Sequence, residues 1–264
     1  MTAVAIAPIT PRRSWRQRTQ STRTAYLFLL PALLVMAIIT FYPLVFQIWM
    51  AFTDFQLKNL RPNSAGPAIV GLQNFTRILD SNIVIPNFDF ARVLVFNLFW
   101  AFTNVVIHVV IGVTIALVLN VDGLRFKRVW RAIYILPIAI PPIIVATGAL
   151  QSIPKDLYEA AEMDGAGYWD RLKTVTLPFL RPAMLPFAIY GFVLTFKLFT
   201  LSYFMSGGGP FGQTELLVTI GYRLVQEQSL YGVAAAFAIF QFFILLVITL
   251  ITNRLARATA SYDA

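Results

Sequence analysis

Long stretches without a charged side chain constrain the fold of this chain more than any other feature. Four such stretches hold between 23 and 29 residues each, and a fifth carries only the charge of Lys197. A helix that crosses a bilayer needs about 20 mostly apolar residues, so each stretch is long enough to span a membrane. The sequence therefore predicts an all-α, polytopic transmembrane helical bundle. The five stretches are Tyr26–Phe52, Val93–Val121, Ala132–Pro154, Ala183–Phe204 and Gln228–Asn253.

The composition excludes other classes of protein. Hydrophobic residues make up 58% of the 264 residues and charged residues only 12%, about half the roughly 25% of a soluble domain. This balance is incompatible with a disordered chain or an ordinary soluble enzyme. The net charge of +9 fits Lys and Arg held at the cytoplasmic surface, near anionic lipid. We therefore expect membrane lipid, and no nucleic acid, as a partner.

A basic segment, residues 1–25, precedes the first apolar stretch. A signal peptide would begin in a similar way, but this apolar run is too long for a signal-peptide core and lacks a small-x-small cleavage site. We expect a cytoplasmic tail over residues 1–25, followed by an uncleaved first span. The basic residues of the tail are Arg12, Arg13, Arg16, Arg18 and Arg23.

The loop charges test how often the chain crosses the membrane. If all five stretches cross, Lys and Arg divide equally between the two sides. If residues 132–154 make an even number of net crossings, 15 basic residues lie inside and 5 outside, which is the bias that the positive-inside rule expects. Pro137, Pro141 and Pro142 interrupt this same stretch, and proline removes backbone donors. Residues 132–154 are therefore expected to re-enter on the side they left, or a span is missing.

The segment Ser152–Pro182 differs from the apolar stretches around it, because it carries charges and small residues. Ser152 suits the N-cap of a helix and Gly165 its C-cap. A second short helix over 167–175 would end before Leu177-Pro178. One face of the first helix suits docking into a groove of a partner, although an amphipathic linker lying on lipid explains it equally well. That face holds Leu157, Ala160, Ala161 and Asp164.

A motif within this segment identifies a family resemblance. Glu159-Ala160-Ala161, then Gly165, then Val175 and Leu177-Pro178 resemble the EAA signature of ABC-importer permeases, with Val175 in the place of Ile. The run 150–161 is similar to the carbohydrate-uptake branch, of the maltose and glycerol-phosphate permease type. Other segments that resemble the family are Gly71–Phe75, Gly207–Pro210 with Thr214, and Gly232 with Ala234–Ala236.

The resemblance implies a fold of the type I ABC-importer permease kind, with six core spans and the EAA loop between the fourth and fifth. Residues 143–146 resemble the start of the later half of the third span, and residues 147–151 resemble the end of the fourth. The chain is therefore expected to be shortened between residues 140 and 152. A permease domain over 26–257 would contain the coupling loop 152–182, and a tail over 258–264 would follow.

The resemblance also implies partners: cytoplasmic ABC ATPase subunits, a second permease subunit or copy of this chain, and an extracytoplasmic solute-binding protein. The sequence contains no Gly-x-x-x-x-Gly-Lys-Ser/Thr phosphate loop. We therefore expect ATP and Mg on the ATPase, and neither enzyme activity nor a bound cofactor on this chain. Glu159 would make a charged contact with the ATPase. The implied coupling residues are Glu159, Ala160, Ala161, Asp164, Gly165, Leu177 and Pro178.

Polar side chains inside the apolar stretches are candidates for a solute pathway. Asn97, Asn104 and His108 share one helical stripe, which hydrogen bonding between helices explains better than solute contact does. Lys197, with Tyr203 nearby, suits either solute contact or anchoring at the outer interface. No metal site is expected, because His108 is the only histidine and cysteine is absent. The pathway candidates are Asn104, His108, Lys197 and Tyr203.

The combined hypothesis is the permease subunit of an ATP-driven, binding-protein-dependent importer of a sugar or polyol derivative. It would be a multi-pass protein of a prokaryotic inner membrane, with both termini cytoplasmic. A secondary transporter or channel is one alternative, but it would need inverted repeats and paired intramembrane charges, and the sequence displays neither. A shortened membrane scaffold that does not transport is the other.

Overall fold

A computed structural model describes residues 15–121, 124, 129, 130 and 141–260. Helices dominate this part of the chain, where the one extended pairing is the isolated bridge between Thr53 and Ile69. The parts of the two predicted tails over residues 1–14 and 261–264 lie outside the described residues. The helices are α1 Trp15–Ala51, α2 Gln73–Leu79, α3 Phe90–Asn120, α4 Pro141–Ser152, α5 Lys155–Met163, α6 Tyr168–Arg171, α7 Leu177–Phe196, α8 Phe199–Ser206, α9 Leu217–Gln226 and α10 Tyr231–Ala260.

Four helical segments in the described residues are long and apolar enough to cross a bilayer, which confirms the predicted all-α membrane fold. The third predicted stretch is not among them. Its described part is α4, whose 12 residues extend only about 18 Å at about 1.5 Å per residue, and residues 131–140 lie outside the described ones. The four segments are Tyr26–Ala51, Phe90–Asn120, Tyr168–Phe196 and Tyr231–Arg254.

The chain divides into two compact units, Met1–Met50 and Ala51–Ala264. Within the first unit, α1 exposes almost all of its apolar side chains from residue 26 onward. Its aromatic rings form a short ladder, with Phe46 lying 6.2 Å from Tyr42 and 5.4 Å from Trp49, centroid to centroid. An apolar helix that covers so little of its own surface requires lipid or another protein around it.

The core of the second unit forms where α3, α4 and α7 pack together. Ala116 of α3 and Ala146 of α4 are completely buried, and such small residues allow two helix backbones to approach closely in a membrane. Larger side chains complete the cluster. They are Leu150, Ile153, Val175, Leu180 and Met184.

A buried amide fixes the start of the second unit. Asn74 is 1% exposed, and its Nδ2 donates to the carbonyl oxygens of Ala51 (2.9 Å) and Thr53 (2.8 Å). Gly71 precedes it with φ of +58°, a conformation that glycine adopts without strain. The resemblance at Gly71–Phe75 therefore falls on a turn that secures the chain as it leaves α1.

Candidate functional site

The predicted coupling helix is present as α5, but it begins later than the sequence indicates. Ser152 is not its N-cap: Ser152 is the last residue of α4, and its hydroxyl donates to the Ala149 carbonyl at 2.8 Å. Pro154 occupies the N-cap position instead. Ser152 still belongs to α4 and lies two residues before Pro154, so it is not at the position that caps α5. Proline suits a helix start because it has no amide hydrogen that would need a partner there.

Gly165 takes part in ending α5, but it lies one residue beyond the C-cap, which is Asp164 and not the predicted Gly165. Its φ is +78°, its N–H donates to the Glu162 carbonyl at 3.0 Å, and the Ala166 N–H donates to the Ala161 carbonyl at 2.9 Å. These two bonds form a Schellman motif, which requires the left-handed conformation that glycine tolerates best. The turn reverses the chain and leads into α6.

One face of α5 packs against the bundle. Tyr158 and Ala161 contact the buried cluster, and the Tyr158 hydroxyl lies 3.1 Å from the Thr176 hydroxyl. Ala161 of the EAA signature therefore packs against the protein's own core. An open cavity of about 520 Å³ adjoins this contact. The residues around it are Leu117, Asn120, Val121, Leu150, Tyr158, Tyr168, Arg171, Leu172 and Thr176.

The opposite face of the segment is exposed, and with its neighbours we call it the coupling surface. It consists of Glu159, Ala160, Met163, Asp164, Gly165, Tyr168 and Trp169. Met163 is 88% exposed, and the ring pair Tyr168–Trp169 is 62% and 67% exposed. Sequence reasoning missed these three apolar residues, although their position beside the motif was a signal. Arg171 braces the turn through a 3.0 Å ion pair with Glu162.

Leu177-Pro178 does not end the second helix of the loop. The chain widens into a π-helical turn over Leu172–Thr176 and continues directly into α7, with Leu177 and Pro178 exposed in its first turn. Proline has no amide hydrogen and clashes with the carbonyl four residues earlier, so a wider turn accommodates it. Leu177 and Pro178 therefore begin α7 and do not mark the end of the loop's second helix.

The polar stripe of α3 divides into different environments. Asn97 is fully buried; its Nδ2 donates to the Phe196 carbonyl at 3.1 Å, and its Oδ1 accepts from the Leu217 N–H at 2.8 Å. Asn104 is half-buried and donates to Trp100 of its own helix, while His108 is exposed. Hydrogen bonding between helices therefore explains Asn97, but not the two pathway candidates.

The predicted stretch Ala183–Phe204 is not one continuous helix. The helix α7 ends at Phe196, Lys197 follows as an exposed residue at the break, and α8 begins at Phe199. Tyr203 of α8 stacks on Phe199 (4.9 Å between centroids) and meets Tyr222 of α9 edge-on at 4.9 Å. Lys197 is therefore placed after a span, and Tyr203 belongs to an aromatic cluster.

An ion pair between a buried glutamate and a partly exposed arginine adjoins this region and was not predicted. Glu215 and Arg223 approach within 3.0 Å, and nothing in their local sequence distinguishes them from ordinary loop charges.

No candidate metal site is found among the described residues, because they contain no group of three His, Asp or Glu side chains that could hold an ion.

Comparisons with known proteins agree with this architecture. The model of the family described as binding-protein-dependent transport system inner membrane component matches residues 4–261. The galactooligosaccharides transport system permease protein GanP of Bacillus subtilis is 30% identical over 79% of this chain and 64% of its own length. The maltodextrin transport system permease protein MalC of Streptococcus pneumoniae is 26% identical, over 86% and 67%. The chain thus spans about two thirds of the length of these relatives.

Among solved structures, a bacterial ABC transporter involved in the import of the acidic polysaccharide alginate shares the fold. Its TM-score is 0.69 at 19% identity, over 92% of this chain and 98% of the matched chain. At this identity the likeness concerns the fold alone. Given the family match over nearly all residues, the chain belongs to the family of binding-protein-dependent transport system inner membrane components.

Proposed function

We propose that this chain is the permease subunit of an ATP-driven, binding-protein-dependent importer of a carbohydrate. The observation that carries the proposal is the coupling surface, an exposed helix and turn at the end of the membrane bundle. The names of two relatives give galactooligosaccharides and maltodextrin as the solutes of their transport systems. These names support a sugar or polyol derivative as the solute here. Both termini and the coupling surface would face the cytoplasm of a prokaryotic cell.

The coupling surface has the chemistry of a protein docking site. Glu159 supplies a charge, Ala160 and Gly165 permit close approach, and Met163 with Trp169 supplies apolar area. Exposed apolar groups beside polar ones are typical of interaction sites. Because the sequence lacks a phosphate loop, the partner at this surface would be the ATPase subunit that binds ATP and Mg.

Glu159→Arg tests the docking surface. Reversing this charge should abolish co-purification of the ATPase subunit, because a like charge replaces an attractive contact. Asp80→Arg is the matched control, since Asp80 is an exposed acid at the end of α2 and should leave co-purification unchanged. Undiminished co-purification of Glu159→Arg would contradict the coupling role.

The solute pathway would use polar groups that are at least partly exposed. Asn104 and His108 lie along α3, Lys197 follows the end of α7, and Tyr203 lies within α8. Amide, imidazole, ammonium and phenol groups all hydrogen-bond to hydroxyls, which suits a sugar. We propose these four residues as solute contacts.

Reconstitution tests the function as a whole. The chain would be inserted in proteoliposomes with an ABC ATPase, a second permease subunit or second copy, and an outer solute-binding protein. Uptake of labelled oligosaccharide that requires both ATP and the binding protein supports the proposal. Uptake without ATP would instead indicate a secondary transporter or channel, and an assembled complex without any uptake would indicate a scaffold.

A further inference from the structure

The glycine-rich turn Gly207–Gly212 packs against a buried carboxylate. The side chain of Glu215 is 3% exposed and lies directly on Gly208, so closely that a β-carbon at that position would come within 2.1 Å of Oε1. Gly208 also has φ of +83°. Both the space and the backbone therefore require glycine, and the turn can close only over this side chain.

Two further contacts hold the closed turn. Nη2 of Arg223 donates to the Gly207 carbonyl at 2.7 Å, and Oγ1 of Thr214 lies 2.9 Å from the Ser206 hydroxyl. Arg223 belongs to α9, so it joins the turn to that helix. The same arginine also faces Glu215, with Nε 3.0 Å from Oε1.

The ion pair is close but poorly satisfied. Oε1 of Glu215 and Nε of Arg223 are both buried, and neither makes a hydrogen bond; only Oε2 accepts one, from the Thr219 hydroxyl. A buried charge pair is stabilising only when its geometry is good and its remaining lone pairs are satisfied. The ionised carboxylate is therefore poorly stabilised in the closed turn.

Other charges near Glu215 do not offset the cost of burying its ionised carboxylate. On α9, Glu227 lies 3.8 Å from Arg223 and competes for it. Arg92 of α3 faces the same cavity of about 190 Å³, but its guanidinium donates to the Asn87 carbonyl. The glycine-rich turn itself contributes no charged residue.

We propose that Glu215 and Arg223 form a pH-sensitive catch, which holds the turn Gly207–Gly212 on α9 while Glu215 is protonated and releases it on ionisation. Release would open the cavity, because Phe211 and Gly212 of the turn line one of its sides. The catch is a property of this loop, outside the four apolar spans, and does not depend on which solute is carried.

Burial supports the direction of this switch, since it raises the pKa of the Glu215 carboxyl, while the Thr219 hydroxyl and Arg223 act the other way. A carboxyl with a raised pKa in the closed turn binds its proton more tightly there than in the open turn. Closure is therefore favoured below the ordinary carboxyl pKa. That advantage is lost as the pH rises through the raised pKa.

Hydrogen exchange of residues 205–214 in the full chain, held in lipid nanodiscs, tests the catch. In the wild type, protection corrected for intrinsic exchange should fall about threefold to tenfold between about pH 5 and about pH 8. Glu215→Gln removes the charge at similar volume, so protection should stay high throughout. Gly208→Ala should lower protection at every pH, because its β-carbon has no space.

Asp156→Asn is the matched control, because it also removes one carboxylate charge, but Asp156 is an exposed acid in the first turn of α5, outside the glycine-rich turn and α9. Its exchange profile should follow the wild type. A wild-type profile that does not change with pH would overturn the proposal. So would a Glu215→Gln turn that is looser than the wild type at low pH, since that would make the ionised pair the stabilising state. These outcomes are read without any transport assay and so do not depend on the proposed function.

Discussion

Asn97 illustrates how one side chain can define one end of the bundle. It bonds to the last residue of α7 and to the first residue of α9. Both partners are groups that a helix terminus cannot satisfy internally. Asn97 thereby holds together the two ends of the segment between α7 and α9, which contains α8 and the glycine-rich turn.

Replacing Asn97 with leucine should be strongly destabilising. The substitution leaves the Phe196 carbonyl and the Leu217 amide without their partner, and each unpaired buried group costs about 1–3 kcal/mol, so we expect a loss of about 2–6 kcal/mol. Asn104→Leu is the control, because Asn104 bonds only within α3, and should cost less than about 1 kcal/mol. Denaturation in detergent measures both, and equal losses would argue against the special position of Asn97.

The sequence was informative about this stripe, but only in part. Helical spacing correctly places Asn97, Asn104 and His108 along α3. It does not distinguish among them, because the partners of Asn97 lie 99 and 120 residues away in the chain. The Glu215–Arg223 pair could not be predicted for a related reason. Glu215 is buried only because the glycine-rich turn packs against it, and the local sequence does not indicate that contact.

At the scale of elements, local signals predicted the coupling helix and its glycine end, because a Schellman turn is encoded by adjacent residues. Predictions about neighbouring boundaries were wrong. Ser152 belongs to the preceding helix, and Pro178 is accommodated by a π-helical turn. In both cases packing against the bundle outweighed a local propensity.

Lys197 lies at the break between α7 and α8 and is a proposed solute contact. Lys197→Ala should reduce solute uptake roughly tenfold or more, because a hydrogen bond from a charged group is worth about 1.5–3 kcal/mol. Membrane abundance should not change, since the side chain is exposed. The assay is uptake normalised to the amount of protein in the membrane, with Lys58→Ala, another exposed lysine, as control. A parallel loss of uptake and abundance would indicate a structural role.

For the molecule as a whole, the loop charges can be compared with the helix lengths of the described residues. Four helical segments there are long and apolar enough to cross a bilayer, an even number, as the distribution of Lys and Arg favours if residues 132–154 add no net crossing. The alignment with GanP runs over 271 positions, yet uses 79% of a 264-residue chain, so that relative contains segments that this chain lacks. A shortening between residues 140 and 152 would account for part of this difference and stays a prediction.

Sidedness can be tested directly because the chain has no cysteine. Met163→Cys and Phe211→Cys place single thiols on the coupling surface and on the glycine-rich turn. The native side chains are 88% and 80% exposed, so a difference in labelling reports the side of the membrane rather than burial. An impermeant thiol reagent on intact cells should label Phe211→Cys alone, and Met163→Cys should react only after permeabilisation. Labelling of Met163→Cys in intact cells would place the coupling surface outside, where no ATPase could bind it.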